Sequence, residues 1–211
     1  MEIHAPELPI ASWRDVLLHL GIVTIGILIA LGLESIVEWR RHVALASEAR
    51  ENILNELRDD QRELEGMLKS TPKLMADQRH VVQLADDLLK KHKTAIHDAT
   101  LSFHRADLSQ TSWTTAQSVG AISYMPYQEV KSYADAYELQ NEYVRLEERT
   151  IDAGIAAITS FQGNEDPSKF QDAELRLLRD KVQTSMSDVT AQTQIGEELV
   201  KRYNRILKAA R

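Results

Sequence analysis

From Val16 to Leu33 the chain runs through eighteen residues of which only His19 and Thr24 are polar. As a helix rising about 1.5 Å per residue, the run covers about 27 Å, close to the hydrocarbon thickness of a bilayer. A helix of this length in a soluble core would carry a polar face, and this one has none before Glu34. Trp13 and Trp39 flank the run, and their helical separation of about 39 Å puts one indole in each interfacial belt, with Arg40 and Arg41 just beyond. The pattern predicts a tail at 1–12, a transmembrane helix at 13–39 and a helical domain at 40–211.

The run admits two other readings. A cleaved signal peptide would use the small triplet Ala44-Leu45-Ala46, which lies well past the apolar run, behind Glu38, Arg40 and Arg41. The segment before the run is acidic (Glu2, Glu7, Asp15) around a single Arg14, where a signal peptide carries positive charge. The third reading is a buried soluble helix. The uncleaved anchor fits best.

Within the span, His19, Gly26, Ala30 and Glu34 fall on one side of the helix at 100° per residue. Gly26 and Ala30 form a small-xxx-small pair that allows close approach of a partner helix, and ionisable groups at membrane depth usually face protein. These four residues are the candidate intramembrane interaction face. The plainer alternative places His19 and Glu34 near the two interfaces, within reach of water.

Beyond the membrane the stripe Ala46, Ala49, Ile53, Leu57, Leu64, Leu68 continues at helical spacing, with Asp60 inside it. An acid there is either paired with a basic residue of a facing helix, which is the expectation, or exposed where packing lapses. Ser70-Thr71-Pro72 reads as a stop and restart. A second helix then carries Met75, Val82, Ala85, Leu89 and Ile96 on one side, and residues 97–112 read as loop with a short helix. After Pro126 a third helix is expected to bury Val130, Tyr133, Ala134, Tyr137, Val144, Ile151, Ile155 and Ile158. Gly163 to Pro167 reads as a loop, with Asp166 as cap and Pro167 opening the last helix. That helix keeps the stripe Leu175, Leu178, Val182, Met186, Val189, Thr193, Val200, Tyr203, Leu207. The expected fold is all-α: an N-terminal transmembrane helix continuing into an antiparallel bundle of about four long helices, with a multichain coiled coil as the alternative.

Composition agrees with helices and narrows the chemistry. Only five prolines and eight glycines interrupt 211 residues, and 43% of the chain is hydrophobic. The net charge of -7 argues against a nucleic-acid-binding face. Without cysteine there are no disulfides, thiol nucleophiles or cysteine-held zinc. No Glu-x-x-His pair, His-Glu-x-x-His helix, calcium loop or phosphate-binding glycine loop occurs. His92, His97 and His104 cluster loosely with Asp98, but a five-residue helical spacing does not bring His92 and His97 together. The expectation is therefore a protein with no catalytic site, cofactor or metal.

The most individual stretch is residues 112–137, with Trp113, Gly120 and Tyr137; five of the six tyrosines lie between Tyr124 and Tyr143. Together with Ile25-Gly26-Ile27-Leu28-Ile29-Ala30-Leu31 and Trp39, this segment resembles a family of uncharacterised bacterial single-span membrane proteins, a domain of unknown function. The resemblance covers the span and the middle segment and hardly touches the last helix. It implies a bacterial inner-membrane address and an all-helical region, and no reaction. Arg40, Arg41 and Arg50 against Arg14 favour a cytoplasmic domain; the basic N-terminus common in that family implies the reverse.

Two roles follow as expectations, with an enzyme of unrecognised type as the third class. The first is a non-enzymatic single-pass subunit or adaptor of a larger membrane complex, touching the lipid bilayer and another membrane protein or a second copy. The second is a membrane-tethered sensory or small-ligand module, its site lined by Tyr124, Tyr127, Tyr133 and Tyr137.

Overall fold

The structure is a computed structural model that describes residues 13–90, 105–159 and 170–210, without the side chains of 156–159. It is all-α: α1 (Trp13–Leu89), α2 (Thr111–Ser118), a 3₁₀ turn (Ala121–Tyr124), α3 (Tyr127–Thr159) and α4 (Asp172–Ala209), with no strand among the described residues. The chain divides into two units, Met1–Glu48 and Ala49–Arg211.

In the first unit, the apolar run has a mean hydropathy of 2.5 and none of it is buried. Its few polar groups are satisfied within the helix. His19 Nδ1 donates to the Asp15 carbonyl at 3.0 Å, Thr24 Oγ1 to Leu20 at 2.7 Å and Ser35 Oγ to Leu31 at 2.8 Å. Such back-bonding removes the cost of carrying a donor into an apolar medium.

The second unit is a bundle of α1 from Ala49 onward with α3 and α4. Pairing residues fix the directions. Arg50 meets Glu129 and Glu56 meets Tyr137, so α1 and α3 run parallel. Gln61 meets Asn204 and Gln78 meets Ser185, so α4 runs antiparallel to α1; Gln140 with Tyr203 and Glu147 with Gln192 show the same for α3 and α4. The core is Ile53, Leu57, Leu64, Val81, Leu84 and Ala85 of α1, Tyr133, Tyr137, Tyr143 and Leu146 of α3, and Leu175, Val182, Val189, Leu199 and Tyr203 of α4.

The expected stop at Ser70-Thr71-Pro72 is absent: Pro72 lies inside α1. An internal proline removes one amide donor and costs about 3 kcal/mol. Here it faces solvent, and Ser70 Oγ and Thr71 Oγ1 both donate to the Met67 carbonyl at 2.8 and 3.1 Å. Apolar residues buried on both sides of it hold the helix together against that cost. Because α1 does not turn back, the return to the start of α3 falls to residues after Leu89, and the four long helices expected become three long and one short.

Other expectations shift for local reasons. α3 turns Gln140, Glu147 and Thr150 inward and leaves Ile155 about half exposed; Ile158 lies outside the described side chains. α4 begins at Asp172, where the Gln171 amide donates to Glu174 Oε2 at 2.7 Å in a capping arrangement. Ile96, the segment Gly163 to Pro167 and the histidines at 92, 97 and 104 lie outside the described residues. Leu175, Val182, Val189 and Tyr203 are buried as the α4 stripe predicts.

Candidate functional site

Residues 105–110 have no regular structure and cross the bundle on their way to α2. Backbone amides in such a segment have no ladder of their own, so buried amides need acceptors from elsewhere. Three carboxylates supply them. Glu147 Oε1 accepts the Ala106 amide at 2.9 Å, Asp60 Oδ1 accepts the Ser109 amide at 2.9 Å, and Glu56 Oε2 accepts the Ser112 amide at 2.8 Å and the Ser109 hydroxyl at 2.9 Å. The Ser109 carbonyl receives Gln140 Nε2 at 2.8 Å, and Tyr203 in turn donates to Gln140 Oε1 at 2.7 Å. The strap is thereby tied to α1 and α3 directly, and to α4 through Gln140.

Aromatic rings close the same region. Trp113 stacks on Tyr137 at 5.6 Å and 10° and meets Tyr133 edge-on at 6.3 Å. Tyr137 donates to Glu56 Oε1 at 2.6 Å and Tyr133 to Glu129 Oε1 at 2.9 Å. Burial first, and the accepting carboxylates second, push both phenols well above their ordinary range, so both stay protonated donors. Glu129 also binds Arg50 through both oxygens, at 2.5 and 2.9 Å. That bond holds its carboxyl below the usual range.

Asp60 is 2% exposed. The expected basic partner is absent among the described residues; a backbone amide takes its place, and Oδ2 has no hydrogen-bond partner. Burial raises its pKa to about 7, the Ser109 amide opposes the rise, and Glu56, Asp59 and Asp107 add to it. Glu147, 1% exposed, is also raised by burial against the Ala106 amide. Asp60 borders an open acidic cleft of about 730 Å³ with Glu56, Asp59, Glu63 and Asp107. Among the described residues, no three acids or histidines are placed to hold a metal. The three carboxylates anchor the backbone of the segment that leads into α2, and burial disposes two of them, Asp60 and Glu147, toward the protonated form.

Trp113 and Tyr137 are in direct contact, and Gly120, with φ +73°, makes the bend between α2 and the 3₁₀ turn. Tyr124 and Tyr127 lie exposed at the surface, apart from the buried pair. His19, Gly26, Ala30 and Glu34 are exposed along the first unit, where a Cβ at Gly26 would meet nothing within 4 Å. Trp13, Trp39, Arg40 and Arg41 are exposed as well. Sequence reasoning missed Glu56, Ser109, Gln140 and Glu147. A signal existed for Glu147, which follows Val144 by three and precedes Ile151 by four, as Asp60 follows Leu57 and precedes Leu64.

No protein-family profile, no curated protein and no solved structure matches the chain.

Proposed function

We propose that the protein is a non-enzymatic single-pass protein of the bacterial inner membrane, whose helical bundle serves as an interaction or structural subunit of a larger membrane complex. The observation that carries this reading is the bare apolar run: among the described residues, none from Val16 to Leu33 is buried. An apolar surface of that length requires an apolar surrounding, and a bilayer has the matching thickness. Ala44-Leu45-Ala46 lies well past the apolar run, behind Glu38, Arg40 and Arg41, which favours an anchor over a removed leader. The resemblance to single-span bacterial proteins supports the same address.

Tyr137 favours a subunit over a ligand module. It spends its ring on Trp113 and its hydroxyl on Glu56, and Tyr133 gives its hydroxyl to Glu129 at the wall of an open cleft of about 670 Å³ that it shares with Arg50 and Arg202.

The test is purification of the full chain from native membranes in mild detergent after carbonate washing. Retention by carbonate-washed membranes and a stoichiometric second membrane protein are the expected results. Release by carbonate overturns the anchor; a clean monomer overturns the subunit role.

A further inference from the structure

Near the proline-containing turn of α1 lies a small, partly open cavity with about 30 Å³ of room for a water centre, lined among others by Leu68, Ser70, Thr71, Gln78, Glu147 and Thr150. One water needs roughly 10–15 Å³ by that measure and two or more polar partners. Gln78 and Glu147 are each 1% exposed, and each keeps one buried oxygen without a partner, Gln78 Oε1 and Glu147 Oε2. Their other ends are accounted for: Gln78 Nε2 donates to Ser185 Oγ at 3.1 Å, and Glu147 Oε1 receives the Ala106 amide and Gln192 Nε2.

We propose that this cavity is a built site for one buried water molecule that bridges Glu147 Oε2 and the free end of the Gln78 amide. As placed, with Glu147 ionised, two acceptors call for a group with two hydrogens; with Glu147 protonated, Oε2 donates and the bridging group must accept from it. With the amide turned over, Ser185 donates to the Gln78 oxygen and the amide N–H enters the cavity, so the bridge must accept one bond and donate another. Water serves every arrangement; a metal ion or ammonium serves only the first, and an apolar occupant none. Leaving these oxygens bare would cost the desolvation of each group.

The direct test is structure determination of the full chain in detergent at a resolution that shows water. The expected result is one peak about 2.6–3.2 Å from both Glu147 Oε2 and the Gln78 amide end. An empty cavity, a direct bond between the two side chains, or a peak ringed by oxygens at about 2.0–2.6 Å, which marks a metal, would overturn the proposal. Thermal unfolding of Gln78→Met, Glu147→Met and the double variant gives a second reading. A bridge predicts that the double variant loses less Tm than the summed single losses, by about 2–4 °C; additive losses would count against it.

Discussion

Tyr137 donates a 2.6 Å hydrogen bond to Glu56 across 81 positions of sequence, while its ring stacks on Trp113. One side chain thus links α1, α2 and α3. Glu56 carries two further donors, the Ser112 amide in the first turn of α2 and the Ser109 hydroxyl of the strap. Tyr137→Phe removes one donor and keeps the ring. It is expected to cost about 1–2 kcal/mol in chemical denaturation, whereas Glu56→Ala, which strands all three donors, should cost more than twice as much.

Asp60 is expected to make the bundle less stable as pH rises. Its folded pKa of about 7 lies above the ordinary 3.8, so the folded state binds the proton more tightly than the unfolded state. Its contribution is fully present below pH 4 and is lost as pH rises through 7. Glu147 is shifted in the same direction. The Tm is therefore expected to fall between pH 5 and pH 8. Asp60→Asn, which supplies a permanent neutral group of the same shape, should flatten part of that fall. An Asp60→Asn profile as steep as the parent's would rule the explanation out.

Arg50 and Glu129 form a two-pronged pair that is partly buried, and the Tyr133 hydroxyl shares the same carboxylate. A guanidinium fork cannot be reproduced by an ammonium. Arg50→Lys should lower stability by about 1 kcal/mol, and a double-mutant cycle with Glu129→Gln should show coupling of about 1 kcal/mol. Because Glu129 titrates below its ordinary range, this contribution is present above pH 4.5 and fades as pH falls through its lowered folded pKa.

Two glycines are expected to respond differently. A Cβ on Gly196 would approach Leu68 Cδ2 and Tyr143 Cε2 at 3.2 Å each, and Tyr143 is locked in the core. Gly196→Ala should be near neutral, as better helix propensity offsets the crowding, while Gly196→Val should cost about 2 kcal/mol or more. Gly120 has open space but φ +73°, so Gly120→Ala should cost about 1–2 kcal/mol through its backbone. Equilibrium unfolding of the three variants separates these mechanisms.

Local pattern alone marked the bare apolar run, the helical stripes of α1 and α4, and Asp60 as an acid out of place on an apolar face. Period and length are properties of neighbours in sequence, and they are written there directly. Pro72 is different: three residues that read as a stop become helix interior because burial on both flanks outweighs one lost hydrogen bond, and no local rule weighs that sum. That single change makes α1 and α3 parallel and sends the chain back across the bundle as the 105–110 strap. The roles of Glu56, Asp60 and Glu147 follow from it, because buried strap amides demand acceptors only once the segment lies against the helices. Pairings across 41 to 56 positions exist only in the folded chain, where the need of an unpaired amide decides which acids turn inward.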